Sequence, residues 1–194
     1  MARKKNITIE DLAALGPKKI ILLIIAAAVM YFAGGEFVPS DVGDIDTGQD
    51  TSGIVAGVVA RVVDGDTAVI RVDGKERRVR FLGVDTPETV HPTKGVQPYG
   101  KEASNFTKDS LNGRQVWLEY DKSPTDRYNR DLAYVWLTKP GRIDDEAVRR
   151  NMFNARLLAG GYAKVLIIKP NNRYEKIFKE IQSEAQRTKI GMWQ

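Results

Sequence analysis

The chain contains no cysteine, which excludes disulfides, thiolate metal centres and a lipid-modified cysteine together. Histidine is nearly absent as well. His91 stands alone, so a zinc site built on several imidazoles has no ligands, and His91 reads as a loop residue. Any metal would have to be held by oxygen, which favours calcium or magnesium. Internal repeats are lacking too. What remains, at 194 residues, is one globular domain plus something extra. The net charge of +5 is strongly segregated: residues 1–33 carry five basic and two acidic groups, while residues 34–54 carry five acids and no base. The remainder is therefore a +7 domain with its acids grouped in a few motifs, a balance that suits a polyanionic partner.

Composition divides the chain into four segments. Residues 1–19 form a basic N-terminal region. Residues 20–35 begin with fourteen uncharged, apolar positions, Ile20 to Ala33. As a helix these would span about 21 Å, short of the roughly 30 Å hydrocarbon core unless flanking residues join in. The segment reads as a thin membrane anchor or as the core of a cleaved signal peptide, with the anchor preferred because the region before it is long and contains Glu10 and Asp11. With the basic flank on the N-terminal side, residues after 35 are expected outside the cytoplasm. Residues 36–53 are rich in Gly, Asp, Ser and Thr, too polar to bury a core, and read as a flexible acidic linker. Residues 54–194 carry the folded domain.

Within that domain, Ile54–Val63, Ala68–Val72 and Arg77–Val84 are β-type runs separated by Asp-Gly turn signals, and a three-stranded meander is the economical reading. Gln115–Tyr120 and Asp131–Leu137 add two strands around a loop at Ser123–Arg130. Lys101–Leu111, Asn154–Ala159 and Arg173–Thr188 read as helices, the last with Tyr174, Ile177, Phe178, Ile181 and Ala185 on one face. Asp144–Asn151 is charged and suggests a short surface helix. Five short strands with about three helices predict an α+β fold, mainly β, in the form of an OB-type Greek-key barrel.

The meander brings the start of its second strand and the end of its third to one edge, so Asp66 and Asp85 should meet there. Two carboxylates at one edge repel unless a cation lies between them. Arg80 and Arg130 offer planar forks that engage two phosphate oxygens and can neutralise a phosphorane-like transition state. Glu88, three residues past Asp85, could deprotonate a water for in-line attack. Tyr99, Lys122, Arg127 and Tyr128 add aromatic and basic character suited to single-stranded nucleic acid. One geometric difficulty stands: strict alternation puts Arg80 and Asp85 on opposite faces, so a bulge or strand end near Gly83 must re-aim one of them.

The stretches VVDGDT (62–67), VDTPET (84–89), HPTKGVQPYGKEAS (91–104), TDRYNRDLAY (125–134) and KPNN (169–172) together resemble the staphylococcal nuclease family, over roughly residues 55–194. The resemblance implies an OB-type barrel and calcium-dependent cleavage of DNA and RNA, single-stranded or frayed, to 3′-phosphate and 5′-hydroxyl ends by a monomeric catalytic domain. It implies calcium held by the carboxylates of Asp66 and Asp85 and the backbone oxygen of Thr86, phosphate held by Arg80 and Arg130, and Glu88 as general base. Asp126, Arg127 and Tyr128 would flank the nucleotide. The chain departs from the family pattern in three places. Lys164–Lys169 lacks two nucleotide-contacting tyrosines, residues 139–151 add a charged segment, and Gly83 replaces a bulky apolar residue, which predicts a looser strand beneath Arg80. The expected whole is a membrane-anchored or exported nuclease. A tethered, non-catalytic nucleic-acid-binding module and a structural envelope protein are the alternatives.

Overall fold

A computed structural model describes residues 53–89 and 97–194. Segments 1–19 and 20–35, the linker 36–53 up to its last residue, and His91 lie outside the described residues. Among the described residues no helix is long and apolar enough to cross a membrane.

The β-branched runs form five strands of a closed barrel: β1 (Ile54–Asp64), β2 (Thr67–Val72), β3 (Lys75–Phe81), β5 (Gln115–Thr125) and β6 (Asp131–Trp136), in the order β1-β2-β3-β6-β5. Pairing of Ile54 with Glu119 through Val58 with Gln115 closes it. Two register shifts in β1 supply the curvature that closure needs. β5 extends to Thr125, so the loop expected at Ser123–Arg130 shrinks to a tight turn. One pairing has consequences for chemistry. β3 and β6 run parallel, with Val79 beside Asp131 and Arg80 beside Leu132.

The third strand breaks at Leu82. Gly83 takes a left-handed φ of 76°, and the chain continues as β4 (Gly83–Asp85) in a separate two-stranded sheet with β7 (Lys164–Leu166). This is the re-aiming that the alternation of Arg80 and Asp85 demanded. Gly83 does not loosen the strand. A Cβ built there would lie 2.4 Å from Cε2 of Phe178, so an aromatic ring from the last helix occupies the space of the missing side chain. Asn154, fully buried, splices the break: its Oδ1 accepts from the Val135 amide at 2.8 Å and its Nδ2 donates to the Leu82 carbonyl at 2.8 Å.

Among the described residues four helices, where about three were expected, pack on the barrel: α1 (Gly100–Leu111), α2 (Asp145–Asn151), α3 (Phe153–Ala159) and α4 (Glu175–Arg187), followed by a 3-10 turn at Gly191–Trp193. The additional one is α2, made by the charged segment. Asp144 caps it by accepting from the Ala147 amide at 2.8 Å. Arg149 then grips Glu184 of α4 with two bonds of 2.8 and 3.0 Å, so the inserted segment is tied into the domain. Ile177, Phe178, Ile181 and Ala185 of α4 face inward as their spacing predicted, and Tyr174 is buried just ahead of its first turn. The largest fully buried side chains are Trp136, Tyr134, Phe81, Phe153 and Phe178, and the last of these links the core to the strand break.

Candidate active site

The turn from β1 to β2 sits hard against the loop after β4. A Cβ on Gly65 would lie 2.6 Å from Oγ1 of Thr86, so only glycine fits between them. Thr107 of α1 donates to the Gly65 carbonyl at 2.6 Å and fixes the turn from the other side. This packing delivers Asp66 to the edge where β4 ends, as the meander predicted.

Asp66 is almost completely buried. Its Oδ2 accepts from the Thr86 amide at 2.9 Å and the Thr86 hydroxyl at 3.1 Å, and its Oδ1 accepts from the Thr67 hydroxyl at 3.1 Å. Arg80, equally buried, bridges the two acids: Nη1 lies 2.9 Å from Asp66 Oδ2 and Nη2 lies 2.9 Å from Asp85 Oδ1. Nη1 also donates to the carbonyls of Val84 at 2.9 Å and Phe81 at 3.3 Å. The guanidinium is thus held by the strand break itself. Its Nε has no acceptor among the described residues, which leaves a donor for a ligand.

Negative charge is crowded at this edge. Burial, with a smaller contribution from Asp85, holds Asp66 above the ordinary carboxylate range despite Arg80 and the Thr86 amide. Glu88 is also raised, first by partial burial, then by the charge of Asp64 and a hydrogen bond with it, then by Asp66 and Asp85. Asp64 belongs to the site through these contacts, and its Oδ1 accepts from the Thr89 hydroxyl at 3.2 Å. In the sequence it stands out only as part of an Asp-Gly turn signal. Its position two residues before Asp66 was the available signal.

Among the described residues no three Asp, Glu or His side chains converge as a ready cage for an ion. A cation here would draw on the carboxylates of Asp66 and Asp85, the adjoining backbone oxygen of Thr86, and water. These are hard oxygen donors, and the excess of negative charge fits a divalent cation of the calcium type.

The second half of the site is the turn from β5 to β6. Asp126 Oδ1 accepts from the amides of Tyr128 and Arg130, each at 2.9 Å, and its Oδ2 accepts from Arg130 Nε at 2.8 Å. Although partial burial acts to raise it, the two Arg130 bonds and the Tyr128 amide prevail and hold this carboxylate below its ordinary value. Asp126 therefore acts as the clasp of the turn and as the holder of Arg130. Because β6 lies parallel to β3, Arg130 leaves the barrel beside the strand that carries Arg80. Tyr128 is 64% exposed, with the guanidinium carbons of Arg127 and Arg130 at 4.8 and 5.5 Å from its ring centroid. Arg127 also donates to the Tyr128 hydroxyl at 2.6 Å.

The KPNN motif finds its role below this turn. Asn171 accepts from the Ser123 amide at 2.7 Å and donates to the Ser123 carbonyl at 2.9 Å, clamping the end of β5 that leads into Asp126. Lys122, expected to face substrate, donates to Asn172 at 2.7 Å. Tyr99 is half-buried at the start of α1, with a φ of 66°. The strand pairing with β4, Lys164–Leu166, is the segment without tyrosines, and Leu166 is left 42% exposed there.

Comparison with known proteins shows the family to which the chain is similar. The model of staphylococcal nuclease homologues matches residues 78–194. The chain is 42% identical to a thermonuclease of Staphylococcus intermedius over 175 residues, which is 90% of this chain and 95% of that one. It is 47% identical to a thermonuclease of Staphylococcus hyicus over 135 residues, covering 70% and 73% of the two chains. An endonuclease of Bacillus subtilis, YncB, is 38% identical over 135 residues, covering 69% of this chain and 59% of its own.

Proposed function

The chain belongs to the staphylococcal nuclease family, and from that membership we propose that it is a calcium-dependent nuclease that hydrolyses DNA and RNA phosphodiesters outside the cytoplasm. The observation that carries this reading is the buried Arg80 bridging Asp66 and Asp85 at 2.9 Å each, with Glu88 in the same acidic cluster.

Calcium would be held by Asp66, Asp85 and the Thr86 carbonyl, and when bound it offsets the charge that develops on the phosphate oxygens. The Glu88 carboxylate accepts a proton from a water as that water attacks phosphorus. A P–O bond forms on one side, and the bond to the 5′-oxygen breaks on the other. The 5′-oxygen leaves as a hydroxyl with a proton from solvent, and the phosphate stays on the 3′ side. Arg80 and Arg130 stabilise the charge of the five-coordinate transition state, where preorganised donors contribute most. The raised affinity of Glu88 for a proton suits a base, because a carboxylate that binds protons more tightly accepts one more readily. The exposed Tyr128 ring and its two arginines suit a single strand or a frayed end.

The basic residues before the apolar segment 20–35 support an anchored or exported protein, with the acidic linker holding a monomeric domain clear of the membrane. Recovery of the protein from the cytosol of the producing cells would refute that placement.

The activity is tested by incubating the full chain with single-stranded DNA in calcium or in excess EGTA, beside Arg80→Ala and Glu88→Ala. Loss of one transition-state contact should lower the rate on the order of 100-fold or more. Cleavage that resists EGTA would refute calcium dependence. Tight, salt-sensitive binding without cleavage would move the assignment to the tethered binding module.

A further inference from the structure

We propose that Arg78 forms a second phosphate subsite, which holds the phosphodiester next along the strand from the one undergoing cleavage. The proposal rests on the nuclease reading for its ligand, a polynucleotide.

Arginines on the barrel strands are otherwise spoken for. Arg61 and Arg71 pair with Glu76, Arg77 pairs with Asp131, and Arg80 pairs with Asp66 and Asp85. Arg78 pairs with no carboxylate among the described residues, and it is exposed. An uncompensated guanidinium between two paired ones has only water or a ligand to engage.

Its position adds the second argument. Val79 and Phe81 are fully buried, so β3 turns Arg78 and Arg80 to the opposite face. The parallel register begins at Val79–Asp131, so Arg78 and Arg130 each stand one residue before the same end of the ladder. Arg78, Asn129, Arg130 and the exposed Tyr128 line one hollow of about 360 Å³. Two residues along a strand is about 7 Å. Arg80 is pinned by Asp66, Asp85 and the carbonyls of Phe81 and Val84, whereas Arg78 at that offset has no such partner among the described residues and suits the neighbouring phosphate. The hollow therefore joins a guanidinium for a phosphate to an aromatic face for a base, the pairing that single strands use. Such a subsite favours a substrate that continues past the cleaved bond over one with a single phosphodiester.

Binding of a labelled single-stranded 12-mer to the full chain in EDTA, across a range of KCl, isolates the contact from cleavage. Arg78→Ala should weaken binding about tenfold at low salt and reduce the salt slope by about 0.7, the value for one phosphate contact on a single strand. Arg78→Lys should restore most of the slope. Lys75→Ala removes the same charge from the far end of β3 and should leave both quantities near wild type. In calcium, Arg78→Ala should raise KM for the oligonucleotide while leaving kcat, and the hydrolysis of a nucleoside carrying one chromogenic phosphodiester, unchanged. Equal salt slopes for wild type and Arg78→Ala would overturn the proposal, as would an equal loss in the Lys75 and Arg78 variants. A matching loss on the one-phosphodiester substrate would also overturn it. Failure of wild type to cleave either substrate would refute the nuclease reading instead, and the salt slope would still report on the subsite.

Discussion

Replacing Gly83 with alanine tests whether the strand break is what aims Arg80. The residue has φ 76°, where a Cβ costs about 1–2 kcal/mol. The new methyl would also fall 2.4 Å from the Phe178 ring. That ring cannot simply step aside, since it packs against Tyr134 and Tyr174 with centroids 6.0 Å from each. Overpacking of this kind costs about 1–3 kcal/mol, so the expected loss is about 2–5 kcal/mol, or roughly 4 °C in Tm for each kcal/mol. The rate should fall as well, because the Val84 carbonyl and Asp85 on β4 hold both terminal nitrogens of Arg80. A displacement of about 1 Å at such a group can lower the rate on the order of 100-fold. Urea denaturation and cleavage of single-stranded DNA measure the two effects. A cycle with Phe178→Ala separates the causes. On that background Gly83→Ala should cost only the backbone contribution, leaving a coupling of about 1–3 kcal/mol. A Gly83→Ala protein within 1 kcal/mol of wild type, with full activity and no coupling to Phe178, would refute the reasoning.

Three further outcomes are expected. Without calcium, the Glu88 carboxyl should titrate above its ordinary value of 4.5 by NMR, and Asp64→Asn should bring it down. Since a raised carboxylate binds its proton more tightly in the folded state, its effect on stability is favourable at low pH and is lost as pH rises through the folded pKa. Asn171→Ala removes two bonds to Ser123 and should cost about 2 kcal/mol, while raising KM through a looser Asp126–Arg130 turn. An unchanged KM would mean that the clamp does not reach the turn. Glu119 is buried and accepts from Trp136 at 2.7 Å, from the Tyr174 hydroxyl at 2.9 and 3.0 Å, and from Arg173. Glu119→Gln should lower stability by about 2–3 kcal/mol in urea, with cleavage at low temperature unchanged.

Much of the site was legible in the chain because local chemistry marks it. Asp-Gly turns set the ends of β1 and β2, and the break at Pro87 concentrated acids and hydroxyls after a β-type run. The requirement for a bend near Gly83 followed from alternation alone, since a period of two cannot put residues 80 and 85 on one face. The spacing of Ile177, Phe178, Ile181 and Ala185 likewise announced the buried face of α4. The fourth helix was visible only as an ambiguity, because its seven residues are mostly charged and its stability comes from Asp144 and from Glu184, a residue far along the chain.

What the sequence determined by itself, then, is the five barrel strands and three of the helices, the acids and arginines with the means to bind cation and phosphate, and the need for a broken strand between them. Only the tertiary structure decided which groups meet. The parallel pairing of β3 with β6 brings Arg130 and Arg78 to one hollow, the Phe178 ring fills the space of a side chain that Gly83 lacks, and Asn154 and Asn171 each tie segments that spacing could not relate. The physical reason is one of range. Turn chemistry and periodicity act over a few residues and leave their mark in composition. A hydrogen bond between Asn154 and Leu82, 72 positions apart, depends on the whole barrel having closed.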